Sequence, residues 1–320
     1  MKNWLKLLLV ASTATLISAC GSDDDPGTLA EEATSEGLTS LVAAADKAGL
    51  AAALDDPNSD LTVFAPTNAA FESLAKSLGF ADAGAMVTAL DGPTLAKILS
   101  YHVLPTSETA GELVAGGATQ ETLYQFPGTT PATLAVDASM GVKLTDAALN
   151  QATVTDANVK ASNGVLHKID KVLVPPGVLN VVQMAQTNPT FSVLVEAVVA
   201  ADLADALSTS GPITVFAPTD AAFVAALGEL NITKDQLLAS PSLGSILTYH
   251  VVSGNVFAAD VVALPKPAVI ATLLAGKIFT VDSQLDIIDG RSRVAKLVAT
   301  DVIASNGVIH VIDKVLLPAP

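Results

Sequence analysis

The chain has one cysteine among 320 residues, so it cannot form an internal disulfide or assemble the thiolate cluster that a structural zinc site needs. Cations are scarce too: 16 Lys and Arg stand against 32 Asp and Glu, a formal charge of −16. A field of that sign repels phosphate backbones, which discards nucleic acid as a partner and argues against docking through a basic face on anionic lipid. Catalytic signatures are missing. No Gly-x-Ser-x-Gly elbow, His-Glu-x-x-His helix or phosphate-cradling glycine loop occurs. Ser73-Leu74-Ala75-Lys76 satisfies Ser-x-x-Lys, but its Ser-Asp-Asn and Lys-Thr-Gly companions are absent, and it reads as a helix surface. Asp282, Asp286 and Asp289 lack the alternating spacing and closing Glu of a calcium loop. No enzyme, cofactor or metal site is therefore expected. Half of the chain is apolar, ample for cores that must stand by packing alone.

Residues 1–19 read as an export signal, with Lys2 and Lys6 before an apolar stretch opening at Leu7 and small residues Ser18 and Ala19 at its end. The stretch is too short to span a bilayer. The lone Cys20 follows at once, and Leu16-Ile17-Ser18-Ala19-Cys20 resembles a bacterial lipobox, which implies cleavage before Cys20 and a diacylglyceryl group on its sulfur. An ordinary signal peptide with an incidental thiol is the alternative. Gly21, not Asp, follows the cysteine, and the resemblance to known sorting rules implies passage to the outer membrane in a double-membraned bacterium. Residues 20–36 carry six acids and no base, which predicts a solvated acidic tether.

The remainder is one unit written twice. Thr62-Val63-Phe64-Ala65-Pro66-Thr67-Asn68-Ala69-Ala70-Phe71 recurs from Thr214 to Phe223 with only Asn68 changed, to Asp220. Ile98 to Val103, containing Tyr101-His102, recurs as Ile246 to Val251 with Tyr249-His250. A closing block from Ala161 to Leu173, containing Asn163-Gly164, His167 and Asp170, recurs from Ala304 to Leu316 with Asn306-Gly307, His310 and Asp313. The offset falls from 152 to 148 to 143 along the chain, so fixed blocks are separated by loops of varying length. A period of about 145 residues is a domain duplication rather than a solenoid. Pro175-Pro176-Gly177 marks the linker, which gives expected units at 37–175 and 178–318.

Each unit reads as α+β. Leu38–Leu54 and Phe191–Leu207 are helix-prone. Ile213–Ala217 reads as a strand halted by Pro218, after which Thr219 is a helix N-cap and Pro218 and Phe223 form a hydrophobic staple. Pro66, Thr67 and Phe71 repeat that grammar. Ser305-Asn306-Gly307 signals a turn before a strand from Val308 to Leu317, and Asp289-Gly290 reads as a hairpin turn.

These three blocks, in this order and in both copies, resemble the fasciclin domain. The resemblance covers nearly everything after the tether. It implies two tandem fasciclin-like domains, each a β-rich wedge or sandwich core flanked by helices, and a role in cell adhesion, matrix or polysaccharide binding rather than catalysis. For animal members the Tyr-His region is implicated in receptor contact, which would map to Tyr101, His102, Tyr249 and His250; buried hydrogen-bonding posts are the other reading of the same residues. Their expected setting is a lipid-anchored protein of the bacterial cell envelope, at the outer membrane or cell surface, whose partner is a cell-surface or matrix protein or a polysaccharide. The alternative is an envelope protein that binds a small ligand or metal through the Tyr-His pairs and the closing-strand histidines His167 and His310. Asp170 and Asp313, three residues further along, should face the other side of that strand and are poor third ligands.

Overall fold

The computed structural model describes residues 26–126, 131–139 and 141–320; the expected signal segment and Cys20 lie outside them. The first unit runs α1 (Leu29–Ser35), α2 (Thr39–Ala48), α3 (Ala51–Leu54), β1 (Leu61–Pro66), α4 (Asn68–Ser77), α5 (Ala83–Ala89), α6 (Gly92–Ser100), β2 (Val103–Leu104) and α7 (Ala110–Ala115), then β3 (Thr119–Gln125), β4 (Pro131–Asp137), β5 (Lys143–Thr145), β6 (Gln151–Ala161) and β7 (Gly164–Ile169). The second repeats it: α8 (Val181–Thr187), α9 (Ser192–Ala200), α10 (Ala204–Thr209), β8 (Ile213–Pro218), α11 (Asp220–Leu230), α12 (Lys234–Leu238), α13 (Leu243–Tyr249), β9 (Val251–Ser253) and α14 (Ala258–Ala263). Its strands β10 (Ala268–Ala271), β11 (Ile278–Val281), β12 (Ile287–Ile288), β13 (Val294–Ala295), β14 (Leu297–Ala304) and β15 (Gly307–Ile312) complete it.

The first strand of each unit pairs in parallel with its last, β1 with β7 and β8 with β15, and every other ladder is antiparallel. In the first unit β6 bends across two register shifts and joins both halves into one sheet, ordered β2-β1-β7-β6-β5-β4-β3. In the second the same strand breaks between β13 and β14, leaving sheets β10-β11-β12-β13 and β14-β15-β8-β9. The pleat of β1 sends alternate side chains to opposite sides. Val63 and Ala65 pack against the helices with Phe71, Met86 and Leu95, while Phe64 joins Tyr101, Leu134 and Leu144 between the two halves of the sheet. Both faces of β1 are therefore buried, as a strand in a parallel pair requires. The corner after it forms as read: Thr67 accepts from the Ala70 amide at 3.2 Å and Thr219 from Ala222 at 3.3 Å.

Three expectations change. The acidic tether is shorter than its composition suggests, because Thr28 and Glu31 form a capping box that opens α1, with Leu29 and Ala33 buried one turn apart. Glu31 and Glu32 sit in the first turn, where the positive helix end favours them, so acids that look like a solvated tail belong to a docked helix. Each long helix-prone run is two helices. Gly49, at φ 72°, caps α2, and Asp202, at φ 56°, turns the chain between α9 and α10. The closing strand stops at Ile312, not Leu317, although Val315, Leu316 and Leu317 remain buried.

The units touch. Asn188 Nδ2 donates to the Ala148 carbonyl at 2.9 Å, the Gly177 amide to Ile303 at 2.9 Å, and Ala148 and Val174 pack into the core of the second unit.

Candidate functional site

Tyr101 caps the C-terminus of α6 and Tyr249 is the last residue of α13, and each turns its ring between helix and sheet. Tyr101 Oη donates to the Thr133 carbonyl on β4 at 2.9 Å, and Tyr249 Oη to Ile278 on β11 at 2.6 Å. The histidine that follows each one has both nitrogens engaged. Nδ1 of His102 faces the Ile98 carbonyl at 2.8 Å, so that nitrogen carries the proton, and Nε2 accepts from the Leu173 amide at 2.8 Å. His250 repeats the pattern with Ile246 and Leu316, each at 2.8 Å. These rings replace a ladder for the tail beyond the closing strand. Burial removes the hydration that an imidazolium needs, and the pKa of both falls to about 4.

The resemblance implies Tyr101, His102, Tyr249 and His250 as contact residues, but the structure exposes no more than 3% of any of them. What they touch is the protein's own backbone. The hollow beside His102 has about 70 Å³ and that beside His250 about 40 Å³, far below the roughly 300 Å³ at which ligand sites begin.

His167 and His310 point the other way along their strands. Nε2 donates to the Glu108 carbonyl at 2.9 Å in one unit and to Val256 at 2.8 Å in the other, while Nδ1 accepts from Asn158 and Asp301, each at 3.3 Å. Burial lowers both pKa values. Asp170 and Asp313 are used elsewhere, accepting from the Thr153 amide at 2.6 Å and the Lys296 amide at 2.7 Å, where they pin the bend of β6 and its counterpart. Among the described residues, no group of three His, Cys, Asp or Glu side chains is placed to hold a metal ion.

Asn163 and Asn306 do more than turn the chain. Asn163 Oδ1 accepts from the Leu29 amide at the start of α1 at 2.8 Å, and its Nδ2 donates to the carbonyls of Leu54 at 2.8 Å and Asp56 at 2.9 Å. Asn306 joins Val181 to Leu207 and Ser210 in the same way. One amide thus ties the first helix, the third helix and the closing hairpin together. Asn306→Ala is expected to cost about 3 kcal/mol, because it strands several backbone groups at once. A urea midpoint indistinguishable from wild type would refute that role.

Sequence reasoning missed a second pair of posts. Asp146 accepts from the amides of Ala148 at 2.9 Å, Asn150 at 2.8 Å and Val174 at 2.9 Å. Asp289 accepts from Arg291, Arg293 and Leu317, each at 2.9 Å. The signal was present, since the two acids stand at the closing block's own offset of 143. They differ in one partner: Arg293 pairs with Asp289 at 2.8 Å, whereas Asn150 stands in its place beside Asp146. Without that cation, burial pushes the Asp146 carboxyl up to about 6.

The family model for the fasciclin domain matches residues 36–175 and again 189–318. Protein sll1483 of Synechocystis is 46% identical over 145 residues, which is 44% of this chain and 74% of that protein. The fasciclin-like arabinogalactan protein elcF of Phaeosphaeria nodorum is 30% identical over 274 residues, 82% of this chain and 80% of that protein. A solved FAS1 domain pair from the insect cell adhesion molecule fasciclin I aligns with a TM-score of 0.42 at 20% identity, over 90% of this chain and 97% of that one. Two matches to one family model, together spanning most of the chain and falling on the two structural repeats, place this protein in the fasciclin family, with two fasciclin domains in tandem.

Proposed function

We propose that this protein is a lipid-anchored binding module of the bacterial cell envelope that attaches its bearer to a cell-surface protein, matrix protein or polysaccharide without catalytic turnover. The observation that carries this reading is the internal use of all eight histidine ring nitrogens. With both ends of every imidazole spent on backbone, the side chains best suited to acid-base chemistry hold strands and tails in place. Recognition then falls to exposed surface. Two domains in one chain make a second contact intramolecular, so weak single-site affinities add up to useful attachment. The relative named an arabinogalactan protein puts polysaccharide among the partners to test. The full chain on an array of glycans and matrix proteins should show saturable binding without consumption of the ligand. Turnover of any array compound that disappears in His102→Gln or His250→Gln would overturn the reading.

The anchor is tested separately. Multiple acyl chains on Cys20 would hold the protein stably at a bilayer, at roughly 0.8 kcal/mol per buried CH2. Cys20→Ser should therefore move the protein from the membrane to the soluble fraction. Unchanged fractionation would contradict the lipobox.

A further inference from the structure

Antiparallel sheets with one face on the core ordinarily turn a polar face to water. The sheet β3-β4-β5 with the start of β6 obeys this. Paired residues share a face, and the register puts Thr119, Glu121, Thr133, Ala135, Thr145 and Gln151 together on its outer side, with Leu123, 45% exposed, further along β3. The equivalent sheet of the second domain does not. Its registers place Val269, Ala271, Ile278, Thr280, Ile288 and Val294 on one face, opposite the buried Ile270, Phe279, Val281 and Ile287. Val269 is 60% exposed, Ile278 48% and Val294 44%. The duplication supplies its own control, because the same fold in the same chain is built with threonine, glutamate and glutamine at these positions. Apolarity here is not demanded by the fold.

The charges around this face are also unlike the rest of the chain. Residues 261–296 hold five cations, Lys266, Lys277, Arg291, Arg293 and Lys296, against three acids, Asp282, Asp286 and Asp289, in a protein with twice as many acids as bases. Asp289 is spent on Arg293. Lys266, Lys277 and Arg291 donate only to backbone carbonyls, and the Asp286 carboxylate takes no partner among the described residues. Strand alternation puts Asp286 on the outer side with Ile288, Asp282 with Thr280 and Lys296 with Val294, whereas Lys277 and Arg293 fall on the buried side with Phe279 and Ala295.

From this we infer that the outer face of β10-β13 is a self-association surface, on which a second copy of this chain packs face to face about a twofold axis. A twofold contact needs a patch that complements itself. An apolar floor meets its own copy as two sheets of a sandwich do, and a rim holding Lys296 and Asp286, neither in an ion pair among the described residues, can set each against its opposite across the axis. Elsewhere the surplus of acids makes two copies repel. The acids on this rim count against an anionic bilayer as the occupant.

Sedimentation velocity on the full chain tests it, with the wild type and variants side by side so that any association through an acyl anchor is common to all. The wild type should show a concentration-dependent dimer. Ile278→Lys should weaken it at least tenfold with a melting temperature within about 3 °C of wild type. Should that lysine prevent folding, the triple change Val269→Thr, Ile278→Thr and Ile288→Thr carries the test, since it installs the residue type the first domain tolerates. A wild type that stays monomeric to about 1 mM, at the weak end of specific contacts, overturns the inference. So does a dimer that neither variant weakens. Binding of a monomeric wild type to phosphatidylglycerol vesicles, lost in Ile278→Lys, would also overturn it and give the face to the membrane.

Discussion

Replacing Gly307 with valine is expected to unfold the second domain, with a loss of at least about 4 kcal/mol. Gly307 opens β15 directly opposite Ile213 on β8, and a Cβ there would fall on the Ile213 carbonyl oxygen. That oxygen belongs to the parallel ladder at the centre of the domain, so it cannot swing aside as a flexible side chain could. Gly164 faces the Leu61 carbonyl in the same way and also has φ at 153°. The turn signal in Asn-Gly suggests positive φ as the reason for both glycines. The structure shows that close backbone approach is the shared cause, since Gly307 is not among the positive-φ glycines. Tyr101→Phe loses only the bond to Thr133 and should cost about 1 kcal/mol. Equal melting temperatures for Gly307→Val, Gly164→Val and Tyr101→Phe would refute the assignment.

The second large effect is acid lability. His102 and His250 titrate at about 4 in the folded chain and at the ordinary 6.5 when unfolded. As pH falls from 6.5 towards 4, the unfolded chain takes up protons that the buried rings refuse. Each ring's contribution is thus complete above 6.5 and is lost on acidification, at about 3 kcal/mol per ring. Asp146 works in the opposite direction. Its carboxyl protonates near 6 when folded but at 3.8 when unfolded, so the folded first domain regains about 3 kcal/mol over nearly the same window. Summed over both domains, the loss between pH 7 and 4 should therefore roughly double in Asp146→Asn, with the added loss, about 3 kcal/mol, falling on the first domain, where the group that offsets His102 is removed. Urea titrations of both proteins at pH 7, 5.5 and 4 measure this. Parallel curves would show that Asp146 does not carry its proton as argued.

Much of the architecture could be read from the letters because repeated blocks coincide with points where backbone chemistry is demanding. Pro66-Thr67 and Pro218-Thr219 announce a strand-to-helix corner, and Asn163-Gly164 announces a hairpin, since few other residues satisfy those geometries. Contacts made far along the chain were not legible. Nothing local in Asn306 shows that its amide reaches Leu207 and Val181, and nothing around Asp146 shows that it receives Val174. The helix in the acidic lead was hidden by composition, because Glu31 and Glu32 outweigh Leu29 and Ala33 in any average over the segment. The apolar outer sheet face was hidden by strand length. Strands of two to four residues are too short to reveal alternation, and only the cross-strand register joins Val269, Ile278, Ile288 and Val294 into one surface.

Pairing the first strand of a domain with its last has a consequence for biogenesis. Ile213 on β8 cannot meet Gly307 until the residues between them have been synthesised, so a nascent domain has no central ladder while its final hairpin is still inside the ribosome. Contacts that distant in sequence form slowly, because loop closure must precede any gain. A polypeptide that stays open until its last strand emerges would suit the envelope location proposed above, since a translocation channel admits only extended chains.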